Sequence, residues 1–229
     1  MGLKENIERV WDRVARAAGK AGRNPDEITL VAVTKTVPPE IIREAVALGL
    51  KDLGENRVQE LLKKQPLLSD LGINWHLIGH LQRNKVKHVF NRVKLIHSLD
   101  SIELARELDK RAGSAGSVVD VLVEVNVAQE STKFGLFLEQ VPSFLKEVVG
   151  FDHLRILGLM TVAPLVNDPE EVRPVFRRLR ELAREVEALR LPKVEMRYLS
   201  MGMSNDFEVA IEEGSNMVRI GTAIFGPRE

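Results

Sequence analysis

Residues 28–39 read Ile28-Thr29-Leu30-Val31-Ala32-Val33-Thr34-Lys35-Thr36-Val37-Pro38-Pro39. Ile28 to Val33 make a short, mostly apolar run, as expected of a parallel strand covered on both faces. An open doubly wound sheet that binds a dinucleotide would place a glycine-rich turn after its first strand. The turn here contains no glycine, which counts against the open sheet. The run also closes on Lys35, at the carboxyl end where closed barrels keep their reactive groups.

The same alternation continues outward from this stretch. Further strand-like runs fall at residues 52–54, 75–78, 94–98, 118–126, 156–161, 196–200 and 217–220. Helical patterns lie between them. Ile7, Val10, Trp11, Val14 and Ala18 share one face of an N-terminal helix, and Val172, Val175, Phe176, Leu179, Leu182, Val186 and Leu189 make a second stripe. Asn167-Asp168-Pro169 offers a capping side chain ahead of that second helix, though Pro174 suits a first turn better than a helix interior. About eight strands alternating with about eight helices give an α/β fold. The expectation is one (β/α)8 TIM barrel occupying residues 1–229.

Composition narrows the function classes. The 229 residues are 44% apolar and 29% charged, enough for a large core and a solvated shell. Lys+Arg and Asp+Glu balance at 33 each, so no net field draws nucleic acid or acidic lipid. The absence of cysteine excludes disulfides, thiolate metal sites and a cysteine nucleophile. Met1 to Asn6 becomes charged at once, unlike a signal peptide, and no apolar run reaches membrane-spanning length. The expected location is the cytoplasm.

Strand alternation puts Thr29, Val31, Val33 and Lys35 on one face. If that face lines the barrel, Lys35 is partly desolvated and primed to condense with an aldehyde. A solvated lysine at a strand end is the competing reading, because lysines are seldom buried. The C-terminal stretches add weight to the first. Leu199-Ser200-Met201-Gly202-Met203-Ser204 follows one strand, with Ser204 or Asn205 expected to cap a helix that ends at Gly214. Val218-Arg219-Ile220-Gly221-Thr222 ends the last strand. These are the loops after strands seven and eight, where barrels bind phosphate through small residues, hydroxyls and backbone N–H groups.

Arg219 among apolar neighbours needs an acceptor, either a ligand or an acidic strand residue such as Glu124. Asn56, in Gly54-Glu55-Asn56, is a cap or a ligand contact. His76 and His80 have helical zinc spacing but sit on a strand, so a metal site is set aside. Residues 83–88 form a basic patch that reads as a solvated face.

Taken together, these stretches resemble the pyridoxal phosphate homeostasis proteins. The matching pieces are Val31 to Lys35, Gly54-Glu55-Asn56 with Gln59-Glu60, His76 to Lys85, Lys133-Phe134-Gly135, Gly158-Leu159-Met160, Leu199 to Ser204 and Val218 to Gly226. The resemblance implies a fold type III barrel like the N-terminal barrel of alanine racemase, with pyridoxal 5'-phosphate (PLP) as a Schiff base on Lys35. It implies phosphate contacts from Ser200, Met201, Gly202, Ser204, Gly221 and Thr222, Arg219 at the pyridine nitrogen, and Asn56 and His80 near the ring. Members of the family are described as carriers or regulators of PLP without established turnover. Apo PLP-dependent enzymes are then the candidate recipients.

Two features favour a carrier over a catalyst. An arginine can only donate, so it leaves the pyridine nitrogen unprotonated and the ring a weak electron sink. With the sequence closing at Glu229 directly after the phosphate motif, no second domain bearing an opposing acid is expected. The expectation is a monomer that is not an enzyme. The alternatives are a slow racemase-like enzyme, a Schiff-base enzyme acting on a phosphorylated aldehyde, and a pure interaction module.

Overall fold

The computed structural model describes residues 2–227. Eight parallel strands close into a barrel in sequence order, with the last pairing the first. They are β1 (Thr29–Val33), β2 (Asp52–Glu55), β3 (Asn74–Leu77), β4 (Leu95–Leu99), β5 (Val119–Glu124), β6 (Leu154–Met160), β7 (Val194–Ser200) and β8 (Met217–Ile220). The helices are α1 (Leu3–Lys20), α2 (Pro39–Ala47), α3 (Val58–Lys64), α4 (Ile102–Ser114), α5 (Val141–Val148), α6 (Arg173–Ala188), α7 (Phe207–Glu212) and α8 (Thr222–Phe225).

Two apolar cores follow from strand alternation. Val31, Leu95, Leu122, Leu157, Met160 and Met217 fill the barrel. Their outward neighbours, such as Leu30, Ala32 and Ile96, pack under the helices. The pleat sends successive side chains to opposite faces, so each strand serves both cores, and this is why the strands read as apolar runs. Gly158 lies where the β6–β7 register shifts, with φ +145°. A Cβ there would meet the Tyr198 carbonyl oxygen at 1.9 Å.

Several expectations need correction. β1 ends at Val33, so Lys35 belongs to the following turn and not to the strand. The β3–β4 connection holds a 3₁₀ segment, Arg83–His88, in place of an α-helix. Trp11 and Leu189 lie at the edges of their stripes and are exposed. α6 begins at Arg173 with Pro174 in its first turn, where a missing N–H is harmless. Asp168 caps a separate 3₁₀ turn, accepting from the Glu170 N–H at 3.0 Å. α7 is preceded by Asp206 as N-cap, and neither Ser204 nor Asn205 fills that place. Gly214, with φ +102°, follows its C-cap. Among the described residues, no helix is long and apolar enough to cross a membrane.

Candidate functional site

A cavity of about 660 Å³ opens at the carboxyl ends of the strands. It is lined by Lys35, Asn56, Ser204, Arg219, Gly221 and Thr222 from the sequence-predicted set, so residues from β1, β2, β7 and β8 loops converge. Lys35 is half-buried between two tethered neighbours. Thr34 is fully buried and donates from Oγ1 to Glu55 Oε1 at 2.7 Å, while its carbonyl accepts from Lys64 Nζ at 2.6 Å. Thr36, in the left-handed region at φ 65°, donates its N–H to Glu60 Oε2 at 3.0 Å. Lys64 also reaches Glu55 Oε1 at 2.7 Å. Burial raises the Glu55 carboxyl above its ordinary range, against the opposing pull of Lys64 and Thr34. These tethers fix the backbone on both sides of Lys35, leaving its side chain to line the cavity.

Arg219 faces the cavity from β8 and is only 4% exposed. Nη1 donates to Ser200 Oγ at 2.7 Å and Nη2 to the Thr161 carbonyl at 2.8 Å. Two of the five guanidinium N–H groups are thus engaged, and the rest of the fork remains for a ligand acceptor. Burial lowers its pKa to about 10, so it stays charged at neutral pH. Among the described residues no carboxylate forms an ion pair with it. Glu124 and Asp206 act only through the field. Asn56 lines the same cavity from the loop after β2, and its Oδ1 is buried without a hydrogen-bond partner. Gly79 allows the close approach that places Asn56, since a Cβ there would sit 2.4 Å from the Asn56 carbonyl oxygen.

The remaining predicted residues lie elsewhere. Ser200 is fully buried beneath the cavity, where it holds Arg219. Met201 belongs to the core under the helices. Gly202 accepts the Arg219 N–H at 3.0 Å through its carbonyl, and a Cβ there would press to 2.6 Å on the Cβ of Ala210. His80 pairs with Asp100 at 3.3 Å and stacks on the Phe134 ring at 3.8 Å, outside this cavity. Ser204, by contrast, is at the cavity, and its Oγ accepts from the Ala223 N–H at 3.2 Å, joining the loop after β7 to α8.

Sequence reasoning passed over two groups of lining residues. Met203, Asn205 and Asp206 belong to the same loop as Ser204, and Val162, Pro164 and Leu165 follow β6. Their place just beyond strand carboxyl ends was the available signal. A smaller cavity of about 210 Å³ lies beside the first, sharing Val162 and lined by Glu124, Asn126 and Lys133. Burial and the nearby Asp100 carboxylate raise Glu124 to about 7, against the pull of Arg219.

A barrel with a lysine, a buried arginine and small-residue loops at its carboxyl mouth defines the class. The chain matches the family described as "Alanine racemase, N-terminal domain" over residues 5–229. It is 50% identical over 229 residues to the pyridoxal phosphate homeostasis protein of Aquifex aeolicus, covering 100% of both chains. It is 40% identical to that of Pseudomonas aeruginosa, over 99% of this chain and 96% of the relative. The solved structure of PipY from Synechococcus elongatus with PLP bound superposes with a TM-score of 0.85 at 33% identity, over 98% of this chain and 100% of PipY. The chain therefore belongs to the pyridoxal phosphate homeostasis protein family.

Proposed function

We propose that this protein holds PLP covalently on Lys35 and stores or supplies it in the cytoplasm, acting as a monomer with residues 1–229 as one domain. The observation that carries the reading is the convergence of Lys35, the buried Arg219 fork and Asn56 on one cavity. Those groups fit the cofactor. Lys35 offers the primary amine, Arg219 a donor for the ring nitrogen, and Ser204, Gly221 and Thr222 hydroxyl or backbone N–H groups for the phosphate. Bound PLP supplies an aldehyde carbon that condenses reversibly with amines and a ring that draws electrons from them. Arg219 donates without giving up a proton, which holds the ring nitrogen neutral and favours retention over turnover.

A second reading, slow amino-acid chemistry, is favoured by Glu124. Its carboxyl, raised to about 7, adjoins the main cavity and suits proton transfer at neutral pH. One experiment separates the two. Protein loaded with PLP is mixed with an apo PLP-dependent enzyme, and in parallel with single-enantiomer amino acids. The carrier reading expects the apoenzyme's activity to return, with negligible optical inversion or keto-acid formation. Brisk turnover that disappears in Lys35→Ala would make this protein an enzyme.

A further inference from the structure

The barrel interior contains a line of polar side chains leading up to Arg219, and the cofactor reading uses none of them except that arginine. It starts at Asp52, the first residue of β2 at the amino end of the barrel. Asp52 Oδ1 lies 3.0 Å from His76 Nε2, with Lys94 Nζ at 3.0 Å from the same oxygen. His76 Nδ1 lies 2.9 Å from His97 Nε2, and His97 Nδ1 lies 3.0 Å from Ser200 Oγ. Ser200 Oγ in turn takes Arg219 Nη1 at 2.7 Å. His76, His97 and Ser200 are fully buried. An apolar plug is the usual filling of such a barrel, so a polar diagonal through it calls for a reason.

The hydrogens on this line can be assigned from its two ends. Arg219 only donates, so Ser200 Oγ accepts there. Asp52, held below the ordinary carboxylate range by His76 and Lys94 although burial opposes this, is ionised and only accepts. His76 Nε2 must therefore carry hydrogen. Burial lowers both imidazoles below the ordinary histidine value and so leaves them neutral at neutral pH, although Asp52 pulls His76 the other way; Lys94 opposes a charge at His76, and Arg219, like any charge on His76, opposes one at His97. A neutral His76 then accepts at Nδ1, so His97 donates from Nε2 and accepts at Nδ1. Ser200 gives its hydroxyl hydrogen to that nitrogen. Every hydrogen on the line is used once, and all point from Arg219 toward Asp52.

We propose that His76 and His97 are positioning residues for Arg219: as Nε2–H tautomers they complete a one-way hydrogen-bond chain from Asp52 through Ser200 that fixes where the guanidinium points in the cavity. Its bearing on PLP rests on the reading above, but the tautomers and the fixing of Arg219 do not. The chain admits one other polarity. An imidazolium at His76 would donate from Nδ1, turn His97 into its Nδ1–H tautomer, and make Ser200 Oγ accept twice. The Ser200 hydrogen would then lose its partner beside Arg219, so a proton at the floor of the barrel would be felt at its mouth. Buried networks of this kind strengthen one another when complete and are costly when one member is left unpaired.

The test begins with PLP-free protein labelled with ¹⁵N at histidine and arginine. Long-range ¹H–¹⁵N spectra at neutral pH should show His76 and His97 as neutral Nε2–H tautomers. The Arg219 Nη resonances should be resolved in the wild type and averaged in Ser200→Ala and in His97→Leu. With PLP loaded, each variant should release it about tenfold faster, the loss expected of one hydrogen bond at a charged group. The double variant should be no worse than either single one, because both cut the same chain. The interior control Leu122→Val should leave release unchanged. An Nδ1–H tautomer or an imidazolium at either histidine, or an Arg219 signal indifferent to Ser200→Ala, would overturn the proposal. Failure of wild-type protein to bind PLP would instead sink the cofactor reading, with the tautomers still deciding the chain.

Discussion

Replacing Glu124 by glutamine should remove a pH-dependent weakness from the fold. Glu124 is 9% exposed, and its Oε2 is buried without a hydrogen-bond partner. Burial, with Asp100 nearby, lifts its carboxyl from the ordinary 4.5 to about 7 despite the attraction of Arg219. A displacement of that size makes the ionised form costly by about 3 kcal/mol in the folded state. The folded carboxyl is harder to ionise than the unfolded one. Its contribution is therefore fully favourable below 4.5 and is lost as pH rises through about 7. Glutamine keeps the shape and never ionises. Urea denaturation of PLP-free protein at about pH 4 and about pH 8.5 reads the difference as a shift in midpoint at constant slope. The variant should match the wild type at the lower pH and exceed it by about 3 kcal/mol at the higher one. An equal difference at both pH values would mean that Glu124 does not titrate in the fold with a raised pKa.

Gly158→Ala should be severely destabilising, by more than about 4 kcal/mol, because the new Cβ meets backbone at a left-handed position; thermal denaturation or loss of soluble protein reports it. Lys64→Met should cost about 3–5 kcal/mol by stranding the fully buried Glu55, and the loosened turn around Lys35 should also release PLP faster. Pyridoxal, which lacks the phosphate, should bind far more weakly than PLP, by on the order of 1.5–3 kcal/mol for each charge-assisted hydrogen bond lost. Calorimetric titration compares the two directly.

The barrel was legible because its strands are covered on both faces, so β1, β5 and β8 appear as apolar runs whatever their loops do. The helices were less so. Arg83–His88 has the length and polarity of a helix but forms a 3₁₀ segment, and nothing local distinguishes the two. Lys35, Arg219, Ser204, Gly221 and Thr222 were visible because each sits at or just past a strand's carboxyl end. Ser200 and Met201 share that neighbourhood in sequence, yet the pleat sends one under the cavity and the other toward the helices. The pairing of His97 with Ser200 joins residues 103 positions apart. In sequence His97 is only a histidine in an apolar strand, and its partners appear when β3, β4 and β7 come together. Asp206 is the N-cap of α7 by backbone position alone, because its carboxylate accepts from the Met203 N–H at 2.6 Å in the preceding loop and not from a helix N–H.

Lys35 is the proposed point of attachment for PLP, and its modification can be read directly. Protein loaded with PLP is reduced with borohydride, digested and mapped by mass spectrometry. A stable pyridoxyl group is expected on the peptide containing Lys35, and none in Lys35→Ala. Label found chiefly on Lys133 or Lys85, with the Lys35 peptide unmodified, would contradict it.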